Sequence, residues 1–435
     1  MVTKPDPKLP RVELLHVLTP TGRAGRLAKT GQHSFVYDTA ALERAERGLE
    51  ISLTMPLRAD AYSSTPMLPV FQTFLPEGFL KERITARFGK VMRVDDMALL
   101  ALSGENAIGR LRLCRSASAE REHDERESLS EILADQGSRD LFEYLSDKYL
   151  IRSGIAGVQP KVMLTAETDL PSATTTHEVP HKSGIAERAT LRARQLIVKV
   201  GGEDYPGLAE NEYHCLRIAA DLELPVPPLW LSADRKRLVL ERFDYDAPSG
   251  SYLGFEDMVS LQGVTNERKY EGSHEMVARA IANNASPALL QSSLEQYFSS
   301  VVLSIVLQNG DAHLKNFGML YTDSGTDDCR LSPIYDIVCT TVYIPKDRLA
   351  LALARSRDWP DRTTLCEFGR VHCGVDHPEP VIDRALQAVA SYVPDNDDSG
   401  IWRRIRDRVA EQAPALQSPR RAAATSRPAP SSRRR

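Results

Sequence analysis

Apolar and polar positions alternate in short bursts from Val12 onward. VELLHVL, RAGRLA and HSFVYD, separated by a turn at Thr19–Gly22 and by glycine and polar residues, predict strands. A loop-rich stretch from Pro56 to Gly78 leads into helical spacing over Phe79–Phe88, a short helix over Asp95–Leu102, and a strand, IGRLRLC. Residues 1–115 are thus expected to form a small α/β unit. Residues 116–140, dominated by Ser, Glu, Arg and Asp, read as a linker or exposed helix.

The pattern changes after Leu141. A glycine-containing turn, SGIAGVQPK, enters the strand KVMLT, and a polar insertion follows over roughly residues 166–190. Next come the strand QLIVKV, a helix over Ala209–Leu222, and the strands PLWLSA and RLVLERF. These elements predict a β-rich lobe with one helix over residues 141–245. Beyond Asp246, Leu290, Leu294, Phe298, Val301 and Ile305 recur at helical spacing, so residues 246–415 are expected to be mostly helical. The expected fold class is α+β and bilobal, a small β-rich lobe followed by a mostly helical one.

Composition narrows the setting. A chain of 435 residues exceeds one ordinary core, and its 42% apolar and 26% charged residues suit a soluble globular protein. Six scattered cysteines without a C-x-x-C pair read as reduced thiols, and Cys366, His372, Cys373 and His377 match no usual zinc spacing. The longest apolar run, Val301–Leu307, is too short to cross a bilayer, and Met1–Pro10 is polar. The expectation is a cytoplasmic protein with no membrane contact. Residues 416–435 carry six arginines and no acid, leaving 49 basic and 59 acidic residues elsewhere. An acidic body is a poor general nucleic-acid binder, and the low-complexity tail is expected to be disordered.

Phosphoryl transfer requires cradled phosphates, a neutralising lysine, metal-binding carboxylates and an acid that aims the acceptor hydroxyl. NGDAHLKN sets Asp311 five residues before Asn316, the spacing of a kinase catalytic loop. Asp311 then orients the acceptor hydroxyl and Asn316 ligates Mg²⁺. LSPIYDIV places Asp336 in an apolar stretch, where a carboxylate needs a cation; it suits the second metal ligand. Lys199 lies inside the strand LIVKV, as a phosphate-pairing lysine does. On the following helix Glu212 shares a stripe with Leu208, Cys215, Leu216, Ala219 and Leu222. Glu210 falls with His214, Arg217 and Asp221, a face read as wet, so Glu212 is the expected partner of Lys199. The turn holding Gly154 and Gly157 is a candidate phosphate loop, and Glu241, Arg242 and Phe243 end a strand where an adenine would meet backbone groups and an aromatic.

These segments resemble the HipA family of serine/threonine kinase toxins over roughly residues 10–395. The resemblance rests on GVQPK, ENEYHCLRIA, LVLERFD, QNGDAHLKNF and LSPIYDIV, with Leu75–Gly78 and Gly104–Gly109 similar to that family's N-terminal subdomain. It implies ATP- and Mg²⁺-dependent phosphorylation of a protein, in the family an aminoacyl-tRNA synthetase, with translation and growth arrest. It also implies a HipB-like helix-turn-helix antitoxin, with operator DNA reached through that partner. Carried onto this chain, Asp311, His313 and Asn316 are catalytic. Nucleotide contacts fall to Ala156, Gly157, Val158, Gln159, Pro160, Lys161, Lys199, Glu241, Arg242, Phe243, Tyr335 and Asp336. The family's autophosphorylated serine position is Gly154 here, and Ser153, one residue earlier, is the modification candidate. An aminoglycoside-type phosphotransferase and a non-catalytic scaffold are the alternative readings.

Overall fold

A computed structural model describes residues 11–44, 48–116, 126–135, 139–149, 159–168, 192–202 and 204–417. The first unit is a five-stranded antiparallel sheet with four short helices. In chain order it comprises β1 (Leu14–Thr19), β2 (Gly22–Thr30), β3 (Gln32–Tyr37), α1 (Thr39–Arg44), β4 (Tyr62–Ser64), α2 (Pro69–Gln72), α3 (Gly78–Phe88), α4 (Asp96–Ser103) and β5 (Arg112–Cys114). The strands lie in the order β4-β3-β2-β1-β5. Alternation does what the sequence required: Leu15 and Val17 of β1, and Phe35 and Tyr37 of β3, are buried on one face. Gly25 sits mid-strand because a Cβ there would meet the Val36 carbonyl oxygen at 2.3 Å and the Phe35 ring at 2.8 Å.

The second unit contains β6 (Arg126–Ser128), α5 (Leu129–Ala134), α6 (Arg139–Tyr149), β7 (Lys161–Thr168), β8 (Arg192–Val200), α7 (Leu208–Asp221), β9 (Leu229–Leu231) and β10 (Arg237–Glu241). Its sheet runs β6-β7-β8-β10-β9, with β6 parallel to β7 and the remaining pairs antiparallel. The expected linker is therefore corrected in part. Residues 126–134 form an edge strand and a helix, because Leu129 and Ile132 bury themselves among Phe142, Leu145 and Tyr149 of α6 and Val162, Leu196 and Val198 of the sheet. The period of two in β8 sends Leu196 and Val198 to that outer core and turns Ile197 and Lys199 toward a cleft. Lys161 lies directly opposite Lys199 in the β7–β8 register.

The third unit is mostly helical, as expected, with five short strands added. It contains β11 (Tyr245–Asp246), β12 (Ser251–Tyr252), β13 (Gly254–Asp257), α8 (Met258–Leu261), α9 (His274–Asn284), α10 (Leu290–Val306), β14 (Gly318–Tyr321), β15 (Arg330–Leu331), α11 (Arg362–Cys373), α12 (Pro378–Ser391) and α13 (Ile401–Leu416). The last two-thirds of α10, from Tyr297, is almost wholly buried, and α9, α11, α12 and α13 pack around it. Strands β13, β14 and β15 form a small sheet beside the cleft. The first unit is bonded firmly to the third: the buried Glu256 carboxylate accepts from Ser52 Oγ at 2.6 Å and the Leu53 amide at 2.7 Å. No helix among the described residues is long and apolar enough to cross a membrane.

Candidate active site

The cleft between the second and third units encloses a cavity of about 910 Å³. Lys199 enters it from β8, buried to 4% exposure. Its ammonium donates to Glu212 Oε1 at 2.5 Å and to Asp336 Oδ1 at 2.8 Å. Glu212 comes from α7 and is fully buried, and its second carboxylate oxygen has no protein partner. A buried carboxylate costs several kcal/mol unless paired, which fixes the lysine between the two acids. The adjacent Asn211 clasps the same region: its amide donates to the Cys339 carbonyl at 3.1 Å and accepts from the Cys339 N–H at 2.9 Å. Helix α7 and the segment carrying Asp336 are therefore held together by both side chains.

Asp336 itself adopts φ +62°, a left-handed conformation that costs a non-glycine residue roughly 1–2 kcal/mol. The strain is offset by its partners, since its Oδ2 also accepts from Asn316 Nδ2 at 3.1 Å. Burial would raise its carboxyl, but Lys199 and then Lys161 hold it well below the usual carboxylate range. Lys199 is correspondingly raised, its two carboxylates outweighing desolvation. Burial instead lowers Lys161, despite the attraction of Asp336.

The candidate catalytic loop, Asn309–Asn316, follows α10. Gln308 takes φ +53°, and its side-chain amide donates to the Arg408 carbonyl of α13. The Gly310 N–H donates to Thr340 Oγ1 at 2.8 Å. Glycine is required there, because a Cβ would lie 2.2 Å from Asp347 Oδ2. A short 3₁₀ turn over Leu314–Asn316 is capped reciprocally by His313 and Asn316. Asp311 opens onto the cavity floor and accepts from the Tyr270 hydroxyl at 2.9 Å. Desolvation by the surrounding cleft walls pushes its carboxyl up to about 6, with Asp336 and Asp347 adding to the rise and Tyr270 and Lys269 opposing it. Burial holds the His313 imidazole down at about 4, so it is neutral near pH 7.

The first unit reaches this loop through Glu77. Its carboxylate accepts from Lys315 at 2.8 Å and from Lys269 at 3.2 Å, and these cations draw it below its ordinary range against the effect of burial. The far wall of the cavity is apolar, formed by Ile108, Ile197, Leu240, Phe243 and Tyr335. Phe243 stacks on Tyr335 with centroids 5.3 Å apart.

The structure thus brings together Lys161, Lys199, Glu212, Phe243, Asp311, His313, Asn316, Tyr335 and Asp336. Gln159, Pro160 and Glu241 also line the cavity. Glu241 pairs with Arg194 at 2.5 Å. Arg242 does not point into it. Its guanidinium turns to Asp244 at 2.6 Å and to the Ala107 carbonyl at 2.8 Å, tying the lobe junction to the first unit. The N–H groups of Glu241 and Arg242 donate to the Pro228 and Gln195 carbonyls, both at 2.8 Å. Of that triplet the cavity receives Phe243 and part of Glu241. Glu210 is also corrected: it is 1% exposed, bonded to Arg235 and 3.5 Å from His214. The Glu210–His214 end of the face expected to be wet is covered by α13, whose Trp402 packs on His214, whereas Asp221 at the other end is exposed as expected. Ser153, Gly154, Ala156, Gly157 and Val158 lie outside the described residues. Tyr270, Asn211 and Glu77 were missed as site residues, because their partners are distant in sequence.

A strand lysine paired to a helix carboxylate, facing an acid, an asparagine and a second aspartate across an interlobe cleft, defines a kinase-like protein. Two family models match the chain in sequence order: the HipA N-terminal domain over residues 15–114 and the HipA-like C-terminal domain over residues 153–396. The chain belongs to the HipA family, the kinase-like toxins of toxin–antitoxin systems. Two Sinorhizobium fredii proteins provisionally named as kinases are similar. Y4mE is 28% identical over 412 residues, 85% of this chain and 88% of that protein. Y4dM is 26% identical over 348 residues, 75% of this chain and 77% of that protein. HipA from Shewanella oneidensis MR-1, solved with HipB and its operator DNA, shares the fold at a TM-score of 0.65 and 17% identity, covering 92% of this chain and 97% of that one.

Proposed function

We propose that the protein is a toxin-type serine/threonine kinase that transfers the ATP γ-phosphate to a protein acceptor. The observation that carries this is the Lys199 ammonium held between Glu212 and Asp336 on one side of a cavity whose floor presents Asp311. The residues suit a magnesium nucleotide: two lysines face phosphates, Asp336 is ionised, and the apolar wall at Phe243 and Tyr335 suits a base. ATP with Mg²⁺ supplies the transferable phosphoryl group and neutralises its charge. Lys199 and Lys161 hold phosphate oxygens, while Asp336 and Asn316 offer the metal ligands. Asp311 accepts the acceptor hydroxyl's hydrogen bond and aims it, and neutral His313 supports the loop.

By the family resemblance, the acceptor is an aminoacyl-tRNA synthetase and the outcome is growth arrest. The HipB in the Shewanella HipA complex supports a HipB-like antitoxin partner here, with operator DNA contacted through it. Labelled ATP added to a cell lysate tests this reading: wild type labels a synthetase-sized protein and Asp311→Asn does not. Label confined to small molecules supports the aminoglycoside-type alternative, and no transfer with Mg²⁺ supports a scaffold.

A further inference from the structure

Tyr270 belongs to no motif, yet among the described residues it makes the one side-chain bond to the carboxylate of the proposed catalytic acid, Asp311. It sits in the turn before α9, 40% exposed, and lines the outer part of the cavity. Bonds link Lys199 to Asp336 and Asp336 to Asn316, and a separate bond links Asp311 to Tyr270. Lys199 and Asn316 are buried whereas Asp311 and Tyr270 are exposed, so Tyr270 meets the acid on the solvent side, by which a protein acceptor must enter. Its hydroxyl donates to Asp311 Oδ1 at 2.9 Å, the contact required of an acceptor hydroxyl.

The ring is supported in this place. It lies edge-on to His313 with centroids 5.1 Å apart, and the Lys269 ammonium is 5.5 Å from its centroid. Arg357, also in the cavity lining, donates to the Tyr270 carbonyl. The backbone is thus tied while the side chain borders open space. Rotation about the side-chain bonds frees Asp311 without moving the loop.

We infer that Tyr270 is a stand-in for the acceptor: its hydroxyl occupies the acceptor-hydroxyl position on Asp311, and a protein substrate must displace it. Tyr270, with Arg357 behind it, therefore marks the acceptor subsite of the cleft. The residue acts as a filter, admitting only an acceptor whose remaining contacts offset the lost bond. A free hydroxyl or water competes poorly with a tethered phenol already in place. This inference rests on the kinase reading.

The test uses the full chain, γ-labelled ATP and serial dilutions of a cell lysate at pH 8, comparing wild type, Tyr270→Phe and Tyr270→Ala. Removing the competing hydroxyl lowers the lysate concentration giving half-maximal labelling by about tenfold, the worth of one hydrogen bond to a charged group. The KM for ATP stays at the wild-type value in Tyr270→Phe, whose ring still packs on His313. Tyr270→Ala moves in the same direction if folded, and Tyr270→Phe decides the matter if it is not. An unchanged or increased half-saturating concentration in Tyr270→Phe, with wild type active, overturns the stand-in role alone. Absence of transfer by wild type overturns the kinase reading and this inference with it.

Discussion

The two ends of the cleft are built on opposite principles. At the inner end, Lys199, Glu212, Asp336 and Asn316 form a continuous chain of charged hydrogen bonds with little solvent. At the outer end, Asp311 holds a single tyrosine bond and opens to the cavity. The inner end is organised before any ligand arrives, since Lys199 is bonded at once to Glu212 and Asp336. The outer end retains an acid whose proton affinity is raised, because desolvation, aided by the Asp336 and Asp347 carboxylates, disfavours its anion. One protein thereby keeps a pre-paired end and a less constrained one, which the proposed function assigns to nucleotide and to acceptor, with the short turn capped by His313 and closed by Asn316 beside them.

Breaking the inner end produces the largest effect. Lys199→Met leaves Glu212 and Asp336 without the cation bonded to both, and the chain loses roughly 3–5 kcal/mol of stability along with its activity. The midpoint of urea unfolding reads the first and labelled-phosphate transfer the second. Asp311→Asn at the outer end separates the two quantities. Transfer falls by roughly 10²–10⁴-fold, while the unfolding midpoint at pH 8 does not fall, because the folded chain disfavours the Asp311 anion. A stability loss as large as that of Lys199→Met would erase the contrast between the ends.

Glu77→Gln addresses the support shared by the outer end and the first unit. It leaves Lys315 and Lys269 without their carboxylate. The expected cost is about 1–3 kcal/mol, read as a lowered unfolding midpoint that Glu77→Asp partly restores. The smallest effect is the pH dependence. Asp311 works as the anion and titrates at about 6, so kcat/KM falls roughly tenfold per pH unit below that value. Asp336 remains ionised throughout that range. A limb near pH 4 would mean that the outer end is as charge-stabilised as the inner one.

Much of this division was legible in the chain. The alternation in LIVKV placed Lys199 on the cleft face of β8, and the stripe on the next helix selected Glu212 correctly. The same stripe logic failed for Glu210, because it assumed one buried face. Helix α7 is covered by the sheet, by the Asp336 segment and by α13, and no local pattern reveals a third neighbour. Residues 126–134 were misread because two apolar side chains, Leu129 and Ile132, carry the burial within a polar composition. Arg242 was assigned together with Phe243, but just past the end of β10 its guanidinium is drawn away to Asp244 and the Ala107 carbonyl, partners no local pattern reveals. Tyr270 and Glu77 were invisible as site residues, since their bonds to Asp311 and Lys315 span 41 and 238 positions.

The link between Gln308 and the Arg408 carbonyl also has a consequence for the order of synthesis. A growing chain acquires Lys199, Asp311 and Asp336 well before it acquires Arg408, a hundred positions beyond Gln308. The strained entrance to the catalytic loop receives this support only when nearly all of the described fold has been translated. For a kinase-like toxin, the hazardous part of the molecule is thereby completed among its last steps, and a chain stopped short of α13 lacks the brace that sets its acid in place.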